Sequence, residues 1–184
     1  MEERIRTIGV LSAKHFSAHL DRVRLRTGRV TERIRIDHPE AAAMVPFIDD
    51  RRIILVRQWR YAIGEETLEI PAGKADDGED IVVCAQRELE EETGYSADRF
   101  FPITGYCPAI GYSNEVISIF AASGLRKSSR QLDVDEISKV EIFDLAQVME
   151  MMLTGRIKDG KTIIGISLFL AKQQRGEIPP DFFG

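Results

Sequence analysis

The stretch "GKADDGEDIVVCAQRELEEETGY", residues 73–95, decides how the chain is read. It gathers Glu88, Glu90, Glu91 and Glu92 within five positions. From Asp80 to Thr93 the apolar residues recur at helical spacing: Ile81, Ala85 and Leu89 fall at i, i+4 and i+8, with Val82 seven places before Leu89. Gly94 follows as a helix terminator. On such a helix Glu88 and Glu92 are four apart and Glu91 is three after Glu88, so all three project from one face. A like-charged pair at that spacing costs about 0.2–0.5 kcal/mol. The negative end of the helix opposes each acid by about 0.3–1 kcal/mol more. Sequences break local rules of this kind at functional sites. A hard divalent cation turns the repulsion into ligation, since Mg²⁺ takes carboxylates, water and substrate phosphates. A merely solvated Glu-rich face is the plainer reading of "ELEEE" alone. Against it stand the preceding loop with Gly73 and Gly78, and Arg87, which lies four residues before Glu91 and can hold its carboxylate.

Outward from this helix, 184 residues suit one domain with a sizeable core and a small N-terminal extension. A net charge of −5 gives no footprint for nucleic acid. No run is long enough to span a membrane, and "MEERIRTIGV" lacks the apolar region of a signal peptide. Cys84 and Cys107 share no metal or redox spacing and read as two reduced thiols, so a cytoplasmic protein is expected.

Alternation predicts a β-hairpin over residues 16–37 with its turn at Thr27-Gly28. His15 and His19, four apart, read as a loop entering this strand rather than as a metal pair. Further strands are predicted over 41–48, 52–60, 66–73, 100–106, 115–122 and 137–143. A helix over 144–155 is expected to bury Leu145, Val148, Met149, Met152 and Leu153, and a last helix covers 162–174 ahead of Pro179-Pro180. The order is mostly β with three helices spread along it, which indicates an α/β sandwich of a mixed sheet between helices.

Gly73, five residues, Glu79, seven residues, then Arg87-Glu88-Leu89-Glu90-Glu91-Glu92-Thr93-Gly94-Tyr95 resembles the Nudix box, with an aromatic Tyr95 where an aliphatic residue is commoner. The resemblance implies the Nudix-type α/β/α sandwich with a mixed β-sheet and hydrolysis of a nucleoside diphosphate linked to another group. The implied cofactor is Mg²⁺, with Mn²⁺ as a possible substitute, as two or three ions. Carried over residue by residue, Glu88 and Glu92 resemble the main metal ligands, Glu91 shares a further ion, and the carbonyl of Ala72 adds a ligand. Arg87 and Glu79 look like the pair that orients helix and loop.

"LEIPAGK" followed by "GYCPAIGYSNE" is similar to the ADP-ribose pyrophosphatase and nucleoside-diphosphate-sugar hydrolase branch, although Cys107-Pro108-Ala109 departs from its usual S-P-G. "VRQWR" offers Arg57 and Arg60 as phosphate ligands. Trp59 between them is expected to face the other way, in the core or an interface. The acidic loop Asp133–Glu136 resembles the one that supplies the general base, with Glu136 first and Asp135 second. Residues 39–184 then form the Nudix domain. Residues 1–38 resemble a small β-subdomain that makes a homodimer and swaps across its two-fold axis. Glu115, or residues near Glu65 and Glu66, would recognise the nucleotide across that interface. A nucleotide sugar such as ADP-ribose is the implied substrate. A GDP-mannose-like substrate, or a regulator that binds a nucleotide without cleaving it, are the alternatives.

Overall fold

The computed structural model describes residues 1–128 and 137–184. Three strands, β1 (Glu3–Ser12), β2 (Ser17–Arg24) and β3 (Val30–Asp37), form an antiparallel N-terminal sheet. The chain continues through β4 (Ala41–Pro46), β5 (Arg52–Arg60), β6 (Glu65–Glu69) and β7 (Ala72–Lys74) into α1 (Ile81–Thr93). After the helix come β8 (Tyr95–Ser96), β9 (Arg99–Tyr106), β10 (Ile117–Ser123), β11 (Arg126–Lys127) and β12 (Ile137–Asp144), then α2 (Leu145–Leu153) and α3 (Gly160–Gln174). The predicted hairpin and helices recur here, as do the predicted strands other than that over 66–73; β1, β8 and β11 have no counterpart among the predictions.

The central sheet has the order β7-β4-β10-β9, with β10 parallel to β4 and antiparallel to β9, so it is mixed. All six residues of β4 are buried, because both faces of the strand are covered. Ala42 and Met44 face Cys84, Ala85 and Leu89 of α1. Ala41, Ala43 and Val45 face the other way, into a core shared with Ile166 and Phe169 of α3. The run of alanines lets both helices approach the sheet closely. Gly165 continues this on α3, where an added Cβ would stand 3.1 Å from Ile119 Cγ2 and 3.2 Å from Val45 Cγ2. That close seat fixes where the first turn of α3, with Lys161, lies. A second sheet, β12-β5-β6, adds Ile53, Leu55 and Leu68 to the α3 side of the core.

Three expectations need correcting. The strand predicted over 66–73 is two, because the chain crosses from one sheet to the other at Ile70-Pro71. Pro71 has no N–H for a ladder, its carbonyl accepts from Met44 N at 2.9 Å, and Ile70 N donates to Thr162 Oγ1 at 2.9 Å. On α1 the buried stripe is Cys84, Ala85, Leu89 and Glu92, and Val82 is exposed at its margin. On α2 Val148 and Met151 are buried while Met149 and Leu153 are exposed. A helix reading LAQVMEMML is apolar nearly all round, so its period alone does not choose the face.

Candidate active site

Asp80 starts α1 by accepting from Val82 N at 2.8 Å, and Gly94 ends it in the left-handed conformation at φ 72°. Between these caps the helix lies along β4 and β7, which turns its acidic face to the loop from Ala72 to Glu79. Arg87 organises that face. Its Nε and Nη2 grip Glu79 at 2.9 and 2.8 Å, and Nη2 also donates to the Lys74 carbonyl at 3.0 Å. Its Nη1 donates to Glu88 Oε1 at 2.7 Å and to Glu91 Oε2 at 2.9 Å. These carboxylates hold the guanidinium pKa far above its ordinary value, Glu79 first. The same hydrogen bonds, opposed by burial, bring the Glu79 carboxyl down to about 2.

Glu88 lies directly over Gly73. An added Cβ there would stand 1.9 Å from the Glu88 Cδ, so glycine leaves the space that the carboxylate fills. Glu92 is 3% exposed, and its Oε2 accepts from Ala72 N at 2.8 Å. Glu90 turns away and accepts from Ser128 Oγ at 3.2 Å.

A cavity of about 540 Å³ opens beside these groups. Glu88, Glu91, Ala72 and Gly73 line it, as do Arg60, Glu115 and Lys161. Lys14 and His15 reach it from the turn between β1 and β2, and His38 from the end of β3. His38 Nδ1 lies 3.6 Å from Glu115 Oε1. A larger groove between β12 and α2 contains none of these residues.

Of the residues singled out in the sequence, the fold gathers Ala72, Arg87, Glu88, Glu91, Arg60 and Glu115 around one cavity, with Glu92 buried beside Ala72. Arg57 is elsewhere: its guanidinium is engaged by Glu141 and lies 3.4 Å from Glu66. Strand alternation is the reason, since residues three apart face opposite sides of β5. Trp59 therefore shares a face with Arg57, and it is 60% exposed rather than in the core. Glu136 and Asp135 lie outside the described residues. Lys161 and Glu69 were not foreseen. Their one signal in the sequence is a charge inside otherwise apolar or helix-starting stretches.

Among the described residues no three His, Cys, Asp or Glu side chains converge closely enough to hold a metal ion by themselves. Arg87 Nη1 bridges Glu88 and Glu91 and takes an oxygen of each. The donor set still fits a hard divalent cation, because it is all oxygen and its members share one cavity or border it. The Gly73 cradle keeps the Glu88 carboxylate against the main chain beside Ala72.

Residues 37–163 match the family described as NUDIX domain. The ADP-ribose pyrophosphatase of Bacillus subtilis (strain 168) is 32% identical over 166 residues, covering 89% of this chain and 90% of that one. The methanol dehydrogenase activator of Bacillus methanolicus is 32% identical over 167 residues, covering 90% of each. A crystal structure of an ADP compounds hydrolase superposes with a TM-score of 0.81 at 24% identity, over 96% of this chain and 97% of that one, which shows a shared fold.

Two outcomes are expected. Gly73→Ala displaces only the end of a flexible side chain, so unfolding in urea should shift by less than about 1 kcal/mol. Turnover should nevertheless fall by roughly tenfold or more, because the displaced group is Glu88. The second concerns acid. Glu79 titrates near 2 when folded against an ordinary 4.5, so its contribution to stability is present above pH 4.5 and is lost as pH falls towards 2. Urea unfolding across that window should therefore be less steeply pH-dependent in Glu79→Gln than in the wild type.

Proposed function

Because the chain belongs to the Nudix family, we propose that it hydrolyses the diphosphate of ADP-ribose or a related nucleoside diphosphate sugar. The products are a nucleoside monophosphate and a sugar phosphate, which for ADP-ribose are AMP and ribose 5-phosphate. One observation carries this reading: the box carboxylates and the phosphate-binding type of side chain, Arg60, line the same cavity. The ADP-ribose pyrophosphatase from Bacillus subtilis, similar over nearly its whole length, supports the choice of substrate.

In this reading Glu88, Glu91, Glu92 and the Ala72 carbonyl hold Mg²⁺, or Mn²⁺ in its place, as two or three ions. The ions supply positive charge against the diphosphate and lower the pKa of the attacking water. The chain's own groups do the rest. Arg87 keeps Glu88 and Glu91 at a fixed spacing despite their mutual repulsion. Arg60 takes a phosphate oxygen with the Nη1 end of its guanidinium. Glu115, held near His38, borders the cavity where the nucleoside or sugar would lie. The acidic stretch Asp133–Glu136 is assigned the general base on its sequence, Glu136 before Asp135. Water adds to one phosphorus as that base takes its proton, and the bridging P–O bond breaks towards the other phosphate.

Residues 1–38 are read as a dimerisation element. β1 is an edge strand whose ten residues are all exposed, and Leu11 is 79% exposed. Long edge strands with apolar side chains are ordinarily covered. A second copy of the chain is the cover proposed, and sedimentation at twice 20.8 kDa would bear this out. A monomer at micromolar concentration would overturn it.

Incubation with Mg²⁺ and a panel of ADP-ribose, GDP-mannose, UDP-glucose, NADH and diadenosine polyphosphates, followed by chromatography, tests the activity. AMP should appear fastest from ADP-ribose. Glu92→Gln should lose more than the roughly 10–100-fold that follows removal of a group behind a metal ligand. Near-normal turnover in that variant would remove the metal assignment. Binding without cleavage of any compound would instead favour a regulator.

A further inference from the structure

A second ionic cluster lines the same cavity from different elements. Glu69, ending β6, is 2% exposed, and Lys161, in the first turn of α3, is 7% exposed. Lys161 Nζ donates to Glu69 Oε2 and lies 3.1 Å from Asp159 Oδ1. The same Glu69 accepts from Arg60, at Oε1 from Nε at 2.7 Å and at Oε2 from Nη2. Thr67 Oγ1 also donates to it. Burial pushes the Glu69 carboxyl up, but Arg60 and Lys161 outweigh it and leave the group at about 2. It is a carboxylate at any working pH.

One carboxylate thus holds two cations side by side. Asp159 reaches only Lys161, through Oδ1, while its Oδ2 is engaged by Thr162 N at 2.9 Å and by Thr162 Oγ1 at the start of α3. Arg60 uses only the edge formed by Nε and Nη2. Among the described residues no acceptor is bonded to its Nη1, so two N–H groups there are left for a ligand. Arg60 and Lys161 line the cavity, whereas Glu69 does not. A tie between α3 and β6 alone would be made at least as well by an apolar pair, since a buried ammonium is costly to desolvate.

We propose that Lys161 joins Arg60 in binding one phosphate of the substrate diphosphate, with Glu69 as the positioning residue that sets the two cations at a common spacing. This rests on the diphosphate reading above and extends it to a residue outside the carboxylate helix. The Nη1 N–H groups of Arg60 give a directional contact and the ammonium a point charge, which together suit a tetrahedral dianion.

Steady-state kinetics on ADP-ribose with Lys161→Met and Lys161→Arg tests it. Loss of one charge-assisted hydrogen bond should raise KM roughly 10- to 100-fold, with kcat falling by less. Lys161→Arg should recover part of the loss, and Glu69→Gln should move KM in the same direction. An unchanged KM in a folded Lys161→Met protein overturns the proposal. Should that variant fail to fold, wild-type protein labelled with ¹⁵N in its lysine side chains gives the answer without turnover. The Lys161 Nζ signal, assigned by its absence from Lys161→Arg, should shift when AMP or ribose 5-phosphate is added. No shift with either compound overturns the proposal. A shift in a protein that cleaves no nucleotide sugar would support the phosphate site and sink the substrate reading. Normal cleavage with unchanged KM would do the reverse.

Discussion

Arg87 donates all five of its N–H groups within the site: one from Nε and one from Nη2 to Glu79, the other Nη2 hydrogen to the Lys74 carbonyl, and the two of Nη1 to Glu88 and Glu91. No other side chain offers five donors in a fixed plane. The loop from Gly73 to Glu79 and the acidic end of α1 are joined through that one group. Without it, Glu88 and Glu91 would repel each other at the end of a helix that already disfavours them. A lysine has three donors and no fixed fork, so it could not hold helix, loop and two further carboxylates at once.

The clamp works only because α1 and the loop are already side by side, and that is a matter of core packing. β4 is sandwiched, and its small side chains let α1 on one face and α3 on the other come close to the sheet. The crossing at Ile70-Pro71 then sends Glu69 and Ala72, three residues apart, into two different sheets. Glu69 goes to the cations Arg60 and Lys161, while Ala72 and Gly73 go to Glu92 and Glu88. The short segment 69–73 therefore carries both chemistries of the cavity, and the Thr162 hydroxyl on Ile70 N ties that segment to α3.

What could be read from the sequence follows from the range of the forces involved. The box helix, its terminating Gly94 and the pairing of Arg87 with Glu91 depend on neighbours within a few residues, and the structure has them as expected. Strand β5 coincides with its predicted span because its apolar run is bounded by charges on both sides. The face of α2 was misjudged, since a nearly all-apolar helix shows its buried side only when its partner is known. Val82 falls at the margin of the α1 stripe rather than within it. Arg57 was grouped with Arg60 by proximity in the chain, although the two-residue period of a strand separates them. Lys161 and Glu69 lie 92 positions apart, and a pair at that distance leaves no periodic trace in a single sequence.

The two clusters share a property that bears on how the cavity behaves with pH. Glu79 and Glu69 are both carboxylates held near 2, each with an arginine as a principal partner. Both carboxylates therefore keep their charge from mildly acidic conditions upward. Ionisation that matters to turnover at neutral pH must then arise outside these two pairs, as it can in the attacking water or the substrate phosphates. A site arranged in this way separates tasks by acidity. Strongly paired carboxylates maintain geometry, and proton transfer is left to groups that are not locked in ion pairs.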